Sequence, residues 1–184
     1  MIKSKKKLIF LFTIFTILSA FIYFAFTFEG NKNFKLSEPD QLSNLSKVEF
    51  FDSEGLKYNI SDFSGKIILI NFWATWCLPC RAEMPSLDNL QRKIGDEVFQ
   101  VIIVAIERTS YSKIANFLDE IDIKSIKDFH DPTTQIGQQI NAKGLPITLV
   151  VNKKGKEIGR FNGPLEWDSH EVVDYLTNLK LNNS

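Results

Sequence analysis

Cys77 and Cys80 are the only two cysteines of the chain, separated by Leu78-Pro79. A two-residue spacer brings the second sulfur within reach of the first, so the pair can close into a disulfide and reopen by dithiol–disulfide exchange. The chain around them is built to present such a pair. Lys66 to Trp73 is a short apolar run, rich in β-branched and aromatic residues with little alternation, and it reads as a buried parallel strand. After Cys80, Leu87, Leu90 and Ile94 recur at helical spacing. A strand therefore hands over to a helix with Cys77 near its N-terminus. Unpaired backbone N–H groups and the positive end of the helix stabilise a thiolate there, lowering its pKa below the free-thiol value of about 8.5.

Other uses of two cysteines fit less well. A zinc site needs about four ligands, and the two histidines, His130 and His170, lie far along the chain. A purely structural bridge usually closes a longer loop, because so small a ring removes little entropy from the unfolded chain. The strand–CxxC–helix context favours redox chemistry.

The N-terminus reads as a membrane anchor. Lys3, Lys5, Lys6 and Lys7 precede an uncharged stretch from Leu8 to Phe28. At roughly 1.5 Å per residue, that stretch matches the ~30 Å hydrocarbon core of a bilayer. The lysines on one side and Glu29 on the other put the N-terminus in the cytoplasm and the rest of the chain outside. A cleaved signal peptide is the alternative, but Phe26-Thr27-Phe28 is a poor cleavage site and the apolar stretch is long. The expected organisation is a basic segment 1–7, an anchor 8–28 in membrane lipid, a linker 29–45 and a globular domain 46–184. Overall the chain carries 22 basic and 22 acidic residues. Without the four anchor lysines the balance is 18 to 22, a net charge of −4. No basic patch argues for nucleic acid, and two cysteines in one motif exclude a disulfide-stapled scaffold.

Within the domain, 47–51 and 56–60 flank Asp52-Ser53-Glu54-Gly55, which has hairpin turn chemistry. A helical turn over 61–65 precedes the active-site strand and helix. Val98 to Ile106 is a second buried strand, followed by a helix from Ser110 or Ser112 to about Ile121. Asp131-Pro132-Thr133 is expected to open a short helix through Ile140. A hairpin of 147–151 and 156–161 comes next, then a final helix from Asp168 or Ser169. The order is β-hairpin, β–α–β–α, then β–β–α. That predicts an α/β fold with a mixed central β-sheet, helices on both faces and right-handed crossovers.

The residues Phe72-Trp73-Ala74-Thr75-Trp76-Cys77-Leu78-Pro79-Cys80-Arg81-Ala82-Glu83-Met84-Pro85 resemble the active site of the thioredoxin superfamily. More closely, they are similar to the membrane-anchored TlpA/ResA-like thiol–disulfide oxidoreductases. Gly144-Leu145-Pro146-Ile147-Thr148 is similar to the loop those proteins place beside the active site. Gly163 to Ser169 resembles their segment before the last helix. The resemblance covers about residues 46 to 181. It implies a thioredoxin-like fold with an N-terminal β-hairpin extension and a cis peptide bond before Pro146.

For chemistry, the resemblance implies that the Cys77–Cys80 pair is redox-active. Cys77 attacks a disulfide of a client protein, and Cys80 resolves the mixed disulfide. Clients expected from the family are apocytochrome c, or proteins of cytochrome oxidase copper-site assembly. With no nicotinamide or flavin motif, no cofactor is expected, and the electron donor would be another protein such as a membrane thiol transporter. Leu78-Pro79 supplies no cation to stabilise the thiolate further, which favours a reductant. Thioredoxins carry a buried aspartate in the strand before the motif; here Asn71 stands there and cannot titrate. Glu83, three residues after Cys80 on the helix, and Glu107, at the end of the second core strand, are the candidates to take the proton from Cys80. The competing readings are a first-turn helix glutamate for Glu83 and a strand-end glutamate in water beside Arg108 for Glu107.

Among the remaining residues, Trp73 and Trp167 are assigned to packing, Trp76 to an exposed apolar platform, Arg81 to the solvent face, and His170 to the helix surface. A thioredoxin-fold copper chaperone would hold Cu(I) through both thiolates, with His130 as third ligand, but such carriers use a three-residue spacer. A peroxidase would need threonine and proline where Ala74 and Ile70 stand. No resident metal is expected.

Overall fold

The structure, a computed structural model, describes residues 34–41 and 43–182. The expected anchor 8–28 lies outside these residues. Among the described residues no helix is long and apolar enough to cross a membrane.

Seven strands form one mixed sheet: β1 Glu49–Phe51, β2 Lys57–Asn59, β3 Ile67–Trp73, β4 Phe99–Ile106, β5 Lys127–Asp131, β6 Ile147–Val151 and β7 Glu157–Asn162. Their order across the sheet is β2-β1-β5-β4-β3-β6-β7. The helices are α1 Leu78–Ile94, α2 Tyr111–Glu120, α3 Ile136–Gln139 and α4 His170–Asn182. β3, β4 and β5 run parallel, and their crossovers carry α1 and α2. β6 joins β3 antiparallel, β7 extends it, and β1 pairs antiparallel with both β2 and β5.

β3 is the spine, and all seven of its residues are buried. Successive side chains of a strand point to opposite faces. Ile68, Ile70 and Phe72 enter one apolar layer with Phe50, Phe63, Phe129, Ile136 and Ile140. Asn71 and Trp73 point to the other face, where they meet Glu83 of α1 and Phe117 of α2. A buried strand thus delivers one polar side chain to the face that carries the cysteines.

Lys127–Asp131, to which the sequence pattern assigns no element, forms β5 with Phe129, His130 and Asp131 buried. The helix expected from Asp131 to Ile140 is confined to Ile136–Gln139. Thr134 takes a left-handed φ of 63°, and Asp131 accepts from the N–H groups of Thr133, Thr134 and Ile136. Those bonds wrap the segment as a loop rather than a helical turn.

Part of the segment expected as linker packs on the domain. Leu36 is buried, and Ser37 exchanges backbone hydrogen bonds with Arg160 of β7 at 2.9 and 3.1 Å. Gly159 permits this approach, because a Cβ there would lie 2.8 Å from Leu36 Cβ. Beneath it Arg160 is held by Glu157 through Nε at 2.6 Å and Nη2 at 2.7 Å, and donates to the Ile140 carbonyl at 3.1 Å.

Candidate functional site

Cys77 caps α1: its backbone is extended, its sulfur accepts from Cys80 N–H at 3.3 Å, and Pro79 sits in the first turn. Proline is well placed there, since first-turn N–H groups have no helical partner. The two sulfurs are joined, with the Cα atoms 5.3 Å apart. Cys77 keeps 5 % of its surface and Cys80 none, while the flanking Trp76 and Leu78 are 70 % and 74 % exposed. An outside group therefore approaches over an apolar rim and meets Cys77 first.

The Leu145–Pro146 peptide bond is cis and Pro146 is buried. A shallow groove of about 400 Å³ runs beside it, lined by Trp76, Glu107, Arg108, Lys143 and Leu145 among others.

Glu83 lies one helical turn after Cys80 and is buried. Burial raises its carboxyl above the usual range, opposed by three donors that favour the anion. Trp167 Nε1–H donates to Oε2 at 2.9 Å and Leu165 N–H to the same oxygen at 3.1 Å. Asn71 Nδ2 donates to Oε1 at 2.8 Å and also to Thr148 Oγ1 at 2.8 Å. β3 and the segment before α4 converge on this one carboxylate of α1, with Thr148 of β6 held behind Asn71. An open cleft of about 540 Å³, lined by Glu83, Pro85, Ser86, Pro164 and Leu165 among others, borders it.

Glu107 is also buried, but it is engaged elsewhere. Its two oxygens accept from Thr75 N–H at 2.6 Å and Thr75 Oγ1–H at 3.0 Å. It thereby fixes the turn that leads into Cys77. The carbonyl of Glu107 in turn meets His130 Nε2 at 2.7 Å, so that nitrogen of the suggested third copper ligand is occupied. Among the described residues no three His, Cys, Asp or Glu side chains group to hold a metal.

Trp73 is buried and packs on Phe117 at 5.5 Å between centroids, with the exposed Arg81 guanidinium 4.8 Å from the same ring. His170 is exposed at the first residue of α4. Trp167 is buried as packing requires, but its indole N–H also serves the site. No pattern in the sequence points to that role, or to those of Thr148, Thr75 and Leu165 N–H. Only the resemblance of 163–169 to a family segment pointed toward the region.

Comparisons with known proteins agree with this geometry. The Redoxin family model matches residues 33–179. A thiol-disulfide oxidoreductase ResA of Bacillus cereus is 29% identical over 181 residues, covering 96% of this chain and 98% of that protein. A ResA of Bacillus thuringiensis subsp. konkukian is 31% identical, covering 70% of this chain and 72% of that protein. In fold, the chain resembles a crystal structure of a candidate thiol:disulfide interchange protein DsbE from Chlorobium tepidum. That likeness has a TM-score of 0.65 at 23% identity and covers 79% of this chain and 99% of the other. With four-fifths of its length inside the family model, and its two cysteines joined where a strand meets a helix, the chain belongs to the Redoxin family of thioredoxin-fold proteins.

Proposed function

We propose that the protein is a thiol–disulfide oxidoreductase that reduces disulfides of client proteins on the outer side of the cytoplasmic membrane. The observation that carries this reading is the placement of the two sulfurs. Cys77 caps a helix beside an exposed tryptophan, and Cys80 is sealed behind it. In the dithiol state the Cys80 N–H and the helix end that now face Cys77 Sγ favour its thiolate.

Cys77 thiolate attacks one sulfur of a client disulfide. A bond forms between Cys77 and the client, and the second client sulfur leaves as a thiolate that takes a proton from solvent. Cys80 then loses its proton and attacks Cys77 Sγ, and the client's first sulfur departs with the electron pair. The client gains two electrons and the protein ends as the observed disulfide. Glu83, one turn from Cys80 on the same helix, is the acceptor we assign for the Cys80 proton. Glu107 acts by holding Thr75, and Pro146 walls the site.

The relatives named ResA favour clients of cytochrome c maturation, and copper-site assembly of cytochrome oxidase is the neighbouring reading. Residues 8–28 supply the anchor in lipid, and a membrane thiol transporter returns the electrons. A Cys80→Ser variant in the membrane tests the whole reading. It should hold its client as a mixed disulfide through Cys77, released by reductant and identifiable by mass spectrometry. Failure to trap any client, or trapping that survives Cys77→Ser, would overturn it.

A further inference from the structure

Asn71 is fully buried, and its side chain is satisfied at one end only. Both hydrogens of Nδ2 are spoken for, by Glu83 Oε1 and Thr148 Oγ1. Its Oδ1 has no hydrogen-bond partner among the described residues.

The other oxygen of Glu83 decides where a proton can sit. Oε2 already accepts from Trp167 Nε1–H and Leu165 N–H, and an indole N–H and a backbone N–H can only donate. A hydrogen placed on Oε2 would face two donors. Oε1 faces only Asn71, so protonation falls there. It would then meet the Nδ2 donor unless the amide turns.

We infer that Asn71 is a positioning residue whose amide turns over with the proton on Glu83. With the carboxylate ionised, Nδ2 donates to Glu83 and Thr148, as observed. With Oε1 protonated, a half-turn about the terminal torsion brings Oδ1 to the same two partners. Glu83 O–H and Thr148 O–H then donate to it. Thr148 allows the exchange because a hydroxyl both donates and accepts. It stands directly across from Asn71 in the β3–β6 register. Each state keeps two bonds and leaves the far end of the amide unmatched, Oδ1 in the one and the two Nδ2 hydrogens in the other, and the proton gained or lost is the one on Glu83 Oε1.

The groups bonded to Glu83 from β3 and the segment before α4 are Asn71, Leu165 N–H and Trp167, and Thr148 of β6 bonds Asn71 from behind; all are neutral. Glu166 and Asp168 line the adjoining cleft, while burial raises the Glu83 carboxyl and the three donors lower it. The proton on Glu83 is therefore matched by a dipole that reverses rather than by a counter-charge.

This inference rests on Glu83 as the group that takes up a proton, and NMR of the oxidised full chain tests it. With 15N-asparagine and 13C-glutamate labels, the Asn71 side-chain signals should titrate with the same midpoint as the Glu83 carboxyl carbon. The coupling across the hydrogen bond from Asn71 Nδ2 to the Glu83 carboxyl should be present above that midpoint and lost below it. Coupling that persists below the midpoint, or Asn71 signals that stay constant through it, would overturn the turning amide. If Glu83→Gln leaves the pH dependence of thiol exchange unchanged while Asn71 still follows the Glu83 carboxyl, the proton-transfer role fails and the amide turn stands.

Discussion

Trp167 Nε1–H meets Glu83 Oε2 at 2.9 Å across 84 residues of chain. The bond ties the segment before α4 to the helix that carries both cysteines. It is also one of the three donors opposing the effect of burial on that carboxyl. Trp167→Phe keeps most of the packing and deletes the donor. A hydrogen bond to a charged group contributes about 1.5–3 kcal/mol. The Glu83 carboxyl should move further upward, and the pH profile of client reduction should shift to higher pH. Stopped-flow thiol exchange over a pH series measures it. A profile unchanged in Trp167→Phe would separate Trp167 from the chemistry.

Glu83 should also leave a mark on stability. Burial raises its carboxyl in the folded protein above the ordinary 4.5, so the folded state holds this proton more tightly than the unfolded chain. The stabilisation associated with protonated Glu83 is complete below that ordinary value. It is lost as pH rises through the folded value. Glu83→Gln has no such dependence. The stability of the wild type relative to this variant should fall as pH climbs from 4.5, then level off. Urea unfolding of both proteins across pH checks the sign, and a rising difference would contradict it.

Glu107 holds the turn before Cys77 through two bonds to Thr75. Glu107→Ala should cost about 1–3 kcal/mol from the unsatisfied Thr75 groups and slow client attack by Cys77. Glu107→Gln, which still accepts at one oxygen, should do less. Rates of a model disulfide substrate distinguish them. Equal effects of the two substitutions would show that the charge, not the hold on Thr75, matters.

How far the sequence foretold this arrangement depended on where its signals were written. β3, α1 and β4 follow from local runs such as Ile67–Trp73, whose burial needs no partner to be foreseen. β5 could not be seen that way. Lys127-Asp128-Phe129-His130-Asp131 has one large apolar residue, and only pairing with β4 and β1 makes it a strand. Glu83 was visible as a helix residue one turn from Cys80. Its partners Asn71, Trp167 and Leu165 come from segments 12, 84 and 82 residues away, and no local pattern links them. The docking of Leu36 on Gly159 was hidden for the same reason.

Arg160 and Glu157 form a buried ion pair under the docked N-terminal segment. Asp40 also lies 3.7 Å from Arg160, so removing Arg160 leaves Glu157 as an uncompensated buried charge, at a cost of about 3–5 kcal/mol, whereas removing Glu157 leaves Arg160 with Asp40. Arg160→Met should lower the denaturant midpoint strongly and Glu157→Gln less. The double variant should recover part of the Arg160→Met loss, because the buried Glu157 charge is gone as well. Additive losses in the double variant would contradict the pairing.

The chemistry depends on two sulfurs of unequal character. Alkylation of the reduced full chain across pH, with each modified cysteine read by mass spectrometry, tests it most directly. Cys77 should react with a midpoint below the free-thiol value of about 8.5, while Cys80 stays slow throughout. Midpoints near 8.5 for both, or faster modification of Cys80, would contradict the assignment of Cys77 as the attacking thiolate.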